Sequence, residues 1–207
     1  MKRHFLTLSA VVCSLVVLSA CASGNKLVLP GEITRPPLAG LPPAGPPVVA
    51  VADFSYTPEG REPGVIGRDH DQVRDVVWNG EPGRTMADLV AGAFADRGIP
   101  VSRVKAGAPA SDNASILVSG TVRRFEVDIR RRKMFNVETE ATVVLSLTAS
   151  GRGLPAPLET SVTITQTSKD VYPLPEYYRM MLSLAANAAA DEGVRRLKEG
   201  GVAGTSR

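Results

Sequence analysis

From Val48 to Lys198 the chain carries two hydrophobic rhythms, one of strand period and one of helix period. Val48-Val49-Ala50-Val51-Ala52-Asp53-Phe54-Ser55 is a nearly unbroken apolar, β-branched run, as expected for a strand covered on both faces. Residues 56–83 are rich in Gly, Pro and charge and long for a loop in a compact domain. Inside that stretch Val65-Ile66-Gly67-Arg68 and the run Val73 to Trp78 read as a short strand or hairpin against the sheet edge. Thr85-Met86-Ala87-Asp88 reads as a variant capping box. Met86, Leu89, Val90, Ala93 and Phe94 then fall at i, i+3, i+4, i+7 and i+8, which makes one apolar stripe of a helix. Gly98 suits a left-handed cap, Pro100 forbids continuation, and Ile99 to Val104 is the next short strand.

Ile116 to Arg130 is strand-like, but its apolar set changes parity: Ile116, Val118 and Val122 on one, Phe125, Val127 and Ile129 on the other. A bulge near Arg123-Arg124 reconciles them, because one extra residue flips every later side chain. Phe135, Val137, Ala141, Val143, Leu145 and Leu147 alternate with Asn136, Glu138, Glu140, Thr142, Ser146 and Thr148, with Val144 as a fault, which predicts an antiparallel strand with one wet face. Gly151 to Pro157 turns the chain into a third strand, with Leu158, Val162 and Ile164 inward. A closing helix is expected from about Pro175 to Lys198, with Tyr177, Met181, Leu184 and Ala188 on one face and Ala185 to Ala190 permitting close approach. Past Gly193 the stripe rotates, so Val194 and Leu197 are expected to point elsewhere and the helix to bend or finish. These elements predict an α+β fold: a two-layer sandwich, a mainly antiparallel sheet with two helices packed on one face, after a signal peptide and Pro-rich linker.

The N-terminal stretch follows a different logic. Lys2, Arg3 and His4 precede an apolar run from Phe5 to Val17, too short for the ~20 residues of a membrane-spanning helix. Leu18-Ser19-Ala20-Cys21 resembles the lipobox of bacterial lipoproteins, which implies cleavage before Cys21 and diacylglyceryl transfer to its sulfur. Ala22, where an Asp would retain such a protein, implies transfer to the outer membrane. Residues 21–47 read as a lipidated N-terminus and Pro/Gly-rich tether favouring extended polyproline-like segments, although Leu27, Val28 and Leu29 could dock on the body. The expected division is thus 1–20 signal peptide, 21–47 tether, 48–199 a single domain and 200–207 a disordered tail.

Loss of residues 1–20 takes Lys2 and Arg3 with it, so the formal charge falls from +3 to about +1. That balance gives no electrostatic case for nucleic acid. With Cys13 removed and Cys21 acylated no thiol remains, which excludes disulfides and Cys-based metal sites and leaves stability to the core.

Candidate chemistry is sparse. Asp69-His70-Asp71 places a histidine between two carboxylates, but a transition-metal site needs three or four convergent ligands, and a solvated turn explains the triplet. No G-x-S-x-G, G-x-x-x-x-G-K-[ST] or H-E-x-x-H motif occurs. No catalytic residue, cofactor or metal is therefore expected. Arg130, Arg131, Arg132 and Lys133 form the strongest charge cluster, either a solvated guard of a sheet edge or a contact for anionic lipid headgroups or an acidic partner. Tyr177 and Tyr178, with Tyr172 and Trp78, could stack on a ligand or form the rim of the core.

The order of lipobox, strand Val49 to Phe54 with Asp53, Gly67, helix end Asp96-Arg97-Gly98-Ile99, strands Leu117 to Val127 and Val137 to Leu147, and a final helix with Asn187 and Asp191 resembles the YajG-type family of uncharacterised bacterial lipoproteins. Val49-Ala50-Val51-Ala52-Asp53-Phe54 also resembles the first strand of the CsgG and penicillin-binding-protein-activator lipoproteins. Neither resemblance carries active-site residues, and the membrane-spanning hairpins of CsgG have no counterpart here. The expectation is a non-enzymatic envelope accessory or interaction lipoprotein on the periplasmic face of the outer membrane, held by acyl chains on Cys21 and meeting an envelope protein partner. The alternatives are a lipid- or glycan-binding carrier module and a subunit of a transport or assembly machine. Oligomeric state is not specified by the sequence.

Overall fold

The structure, a computed structural model, describes residues 26–35, 48–58, 60–107, 114–133, 136–152, 154–170 and 174–202. The expected signal segment 1–20, Cys21, residues 22–25 and 36–47 of the tether, Phe135, Tyr172 and residues 203–207 of the tail lie outside the described residues, as do the side chains of Arg131, Arg132 and Lys133. In chain order the elements are β1 (Lys26–Pro30), β2 (Val49–Ala52), β3 (Ser55–Tyr56), β4 (Val65–Asp69), β5 (Arg74–Asn79), α1 (Pro82–Ala95), β6 (Val101–Val104), β7 (Ile116–Lys133), β8 (Asn136–Gly151), β9 (Leu158–Asp170) and α2 (Pro175–Glu199).

Everything is built on β7. One edge pairs antiparallel with β8, which pairs antiparallel with β9, giving the expected three-strand meander. The other edge takes three partners in succession: β2 at Ile116 to Val118, β3 at Thr121 and Val122, and β4 at Ile129. Beyond β2 lies β6, and beyond β4 lie β5 and then β1. Antiparallel ladders dominate, and every parallel pairing is short and involves at least one of the short strands β1, β2, β3 and β4. The register of β7 steps between Val122 and Arg124, so the bulge expected from the sequence keeps Ile116, Val118 and Val122 buried before it and Phe125, Val127 and Ile129 buried after it. Both helices pack against β7 and against each other on that inner face; the opposite face is open.

Helix α1 buries the predicted stripe of Met86, Leu89, Val90, Ala93 and Phe94. It begins earlier than the capping-box pattern implied. Pro82 occupies the first turn, where its missing N–H costs nothing, Glu81 is the N-cap without a side-chain bond, and Asp88 instead receives Arg103 Nε at 2.8 Å. Its end is as expected. Gly98 takes φ +73°, and the Ile99 N–H reaches Phe94 O at 3.1 Å, a Schellman closure that satisfies a terminal carbonyl. Gly98→Ala should cost about 1 kcal/mol, the penalty for a Cβ in the left-handed region, read as a lower urea midpoint; an unchanged midpoint would contradict it.

Helix α2 corrects the sequence reading. Its buried set is Tyr178, Met181, Leu182, Ala185, Ala186, Ala189, Ala190, Gly193, Val194 and Leu197, while Leu184 is 52% exposed. The helix runs unbroken through Gly193, where an added Cβ would meet Leu147 Cδ1 at 2.7 Å, so the glycine sits at the closest approach to the sheet. The tether boundary also shifts. Lys26–Pro30 pairs in parallel with β5 and buries Leu27 and Leu29, so the ordered body begins upstream of Val48. It also extends past 199, since Val202 is buried. Glu138, expected on a wet face, is 7% exposed.

Candidate functional site

The predicted surface residues separate on folding. Arg130 is exposed on β7, which continues through the backbone of Arg131 to Lys133, paired with Val137 and Asn136 at the start of β8. Tyr178 is only 5% exposed. Burial, reinforced by Asp69, pushes its hydroxyl's pKa up. Tyr177 is half-buried, donates its hydroxyl to Ser168 Oγ, and meets Tyr178 edge-on at 6.4 Å. These two rings are therefore core, not an exposed stacking platform. Trp78 is core as well, edge-on to Phe125 at 5.3 Å. In the Asp69-His70-Asp71 turn, Asp69 accepts the N–H groups of Asp71 and Gln72 at 3.1 Å and Arg74 Nε at 3.0 Å. That carboxylate is thereby committed to closing the β4–β5 turn. Among the described residues no three His, Cys, Asp or Glu side chains gather as a metal site.

The feature that sequence reasoning missed is a polar trough on the open face. After the bulge, Arg124, Glu126, Asp128 and Arg130 share one parity and point away from the helices. Opposite them on β8 stand Glu140 and Thr142, and the 60–64 loop and β4 add Arg61 and Arg68. The cavity measures about 670 Å³. Arg61 lies 3.3 Å from Glu126 Oε1 and 3.5 Å from Asp128, whose Oδ1 also accepts the Arg68 N–H at 2.9 Å. Carboxylates held this way are ion-paired scaffold, and the surface they make has charges of both signs in fixed places. The alternation was present in the sequence, but it becomes a surface only once the bulge fixes which parity faces out.

Beside the trough an apolar recess of about 410 Å³ is lined by Phe54, Tyr56, Pro58, Pro63 and Pro82. Tyr56 lines this recess. Burial, with Glu126 adding and Arg61 opposing, raises the pKa of its hydroxyl, which has no hydrogen-bond partner among the described residues.

A third cluster gathers residues that carried the family resemblance. Asp96 and Arg97 at the end of α1 meet Asn187 and Asp191 of α2 through Arg35, which follows β1. Arg35 bonds Asp96 through Nε, Asp191 Oδ1 at 2.7 Å and Asn187 Oδ1 at 3.5 Å; Arg97 reaches Asp191 at 2.9 Å. Burial opposes charge on both Asp191 and Arg35, but the ion-paired hydrogen bonds outweigh it: the Asp191 carboxyl is held below its usual range and Arg35 above its own. This is a clamp that fastens the chain between β1 and β2 onto both helices. Arg35 was hidden in the sequence by the prolines around it.

No protein-family model matches the chain, and no curated protein sequence matches it. Solved structures do resemble it in fold. A DUF330 protein from Xanthomonas campestris aligns with a TM-score of 0.51 at 16% identity, over 84% of this chain and 99% of that one. PelC from Paraburkholderia phytofirmans, crystallised as a dodecamer, aligns at 0.41 and 19% identity over 77% of this chain and 94% of that one. A minor lipoprotein from Acinetobacter baumannii aligns at 0.39 and 9% identity, covering 72% and 92% respectively. At these identities the likeness is one of fold.

Proposed function

We propose that this chain is a non-enzymatic envelope lipoprotein, held by acyl chains on Cys21 at the periplasmic face of the outer membrane, whose body binds another envelope protein through its open sheet face. The observation that carries the reading is the trough beside Arg61. Its charges of both signs, fixed by ion pairs and backbone N–H groups, are complementary to a mixed-charge protein surface and hostile to an acyl chain. Inside it Glu126 and Asp128 are both engaged by the Arg61 guanidinium, a structural pairing of opposite charges. The anchor follows from Leu18-Ser19-Ala20-Cys21: each buried methylene contributes about 0.8 kcal/mol, so two or more chains attach stably.

Cys21→Ala should abolish palmitate labelling and move the protein out of the membrane fraction, while the circular dichroism of the body stays unchanged. Persistent labelling of that variant would refute the anchor. A photo-crosslinking residue placed at Thr142, on the open face, should yield one discrete protein adduct in intact cells, and loss of that adduct in Arg124→Glu should follow. A second reading, glycan or lipid carriage, is favoured by the apolar recess and the unpartnered Tyr56 hydroxyl. Co-purified glycolipid together with an absent protein adduct would replace the first reading with the second.

A further inference from the structure

Strand directions bring four features to one end of the molecule. β4 runs parallel to β7, so Asp69, paired with Ile129, marks the end where β7 finishes. β5 is antiparallel to β4 and β1 parallel to β5, so Lys26, level with Asp75, enters the sheet at that same end. The 70–73 turn lies there too, with the His70 N–H on Ile129 O at 2.8 Å. β9 is parallel to β7, and its last residue, Asp170, pairs with Val137, so the start of α2 at Leu174 completes the group.

Beyond Ile129, β7 keeps only β8 as a direct partner among the described residues; with β8 and β9, whose Asp170 is level with Arg131, it runs past β4, β5 and β1 to Lys133. At ~3.3 Å per residue those four residues span about 13 Å. Cys21 precedes Lys26 by five residues, and an extended chain of that length reaches about 17 Å. A tether of that length lets an anchor at Cys21 lie level with the hairpin end, about three strand spacings, or ~14 Å, away across the sheet. This strand end carries Arg130, Arg131, Arg132 and Lys133 in succession. Two large apolar side chains accompany them at this end: Val73, 57% exposed and held at φ 51°, and Leu174, 69% exposed. A β-branched residue at positive φ is an outlier. Cations flanked by exposed apolar side chains are what an anionic lipid surface retains.

We infer that the β7–β8 hairpin is a second membrane contact, in which the Arg130 to Lys133 strand end binds anionic phospholipid headgroups of the leaflet that holds the acyl chains. The inference rests on the reading of Cys21 as the anchor and adds to it an orientation: strands upright on the membrane, with the connection between β8 and β9 pointing away. Each cation near an anionic surface favours contact about fivefold, so the contact is lost when salt screens it.

The test uses the acylated full-length product in vesicles whose headgroups carry a spin label. With phosphatidylglycerol present, relaxation of the Arg130 and Asn136 amides should rise well above its level in phosphatidylcholine alone. It should fall back at ionic strength near 1 M, where the screening length is about 3 Å. It should also fall back in a variant with Arg130, Arg131, Arg132 and Lys133 all changed to Ser, which still floats with the vesicles. Flotation without lipid-dependent relaxation at these amides would overturn the hairpin contact, and would leave an acidic protein as the occupant. Failure to float with neutral vesicles would overturn the anchor reading alone, because charge-driven flotation with phosphatidylglycerol still reports on the hairpin.

Discussion

Gly67→Ala is expected to destabilise the protein by about 3 kcal/mol or more, at the upper end of what overpacking costs. Gly67 lies in β4 where the register with β5 slips between Val65 and Gly67. A Cβ there would overlap the Val127 carbonyl oxygen and sit 2.7 Å from its carbon. The obstacle is backbone, and it belongs to β7, which is fixed on its far side by the ladder to β8. Relief requires β4 to move off β7, and with β4 go β5, β1 and the edge contact of Trp78 with Phe125. Urea unfolding should show a lower midpoint with a similar slope if the fold survives. Gly98→Ala provides the contrast, because nothing lies within 4 Å of its added Cβ and only the left-handed φ is penalised. Equal midpoints for the two variants would show that the close approach of β4 to β7 is not a constraint.

The same glycine illustrates what could be read from the sequence. Strands and helices with strong contrast were legible: the α1 stripe, the parity change around Arg123, and the turn-bounded pieces that became β4 and β5. Their signals are local and rest on large apolar side chains. What was lost depends on partners distant in sequence. Lys26–Pro30 has the alternation of a strand, with Leu27 and Leu29 in and Val28 out, but parallel pairing to β5 needs no turn nearby, and the surrounding prolines dominated the reading. In α2 the large side chains Tyr177 and Leu184 carry the strongest hydrophobic contrast. The contact is made by Ala185, Ala189 and Gly193, whose small size lets the helix come close but gives little hydrophobic contrast. The Arg61 trough needed a bulge, a loop and two strands before its charges met. Asp96, Arg97, Asn187 and Asp191 stand in the sequence only as part of a resemblance, and their purpose appears only with Arg35 between them.

Arg35→Ala should therefore cost about 2–3 kcal/mol, a value set by what it leaves behind. The Arg35 and Asp96 side chains are 13% and 14% exposed, so removal of the guanidinium strands a largely buried carboxylate. Breaking a fully buried pair costs ~3–5 kcal/mol; the value here is lower because Asp191, at 42% exposure, retains water and Arg97. Asp96→Ala in the Arg35→Ala background should recover part of the loss, since the stranded charge is then gone. Amide exchange gives a local readout. Arg35 lies five residues beyond the end of β1, so its release should speed exchange at Leu27 and Leu29, strand residues otherwise buried, before the centre of β7 is affected. Acid offers an independent check with a definite sign. Because the Asp191 carboxyl is held below its usual range in the folded state, its contribution is complete above the ordinary carboxylate pKa of about 4 and disappears as pH falls through the lower folded value. Asp191→Asn should accordingly be less stable than the parent at neutral pH and lose less on acidification below about pH 4. Parallel stability curves for the two proteins across that range would mean that the clamp is held by packing and not by charge.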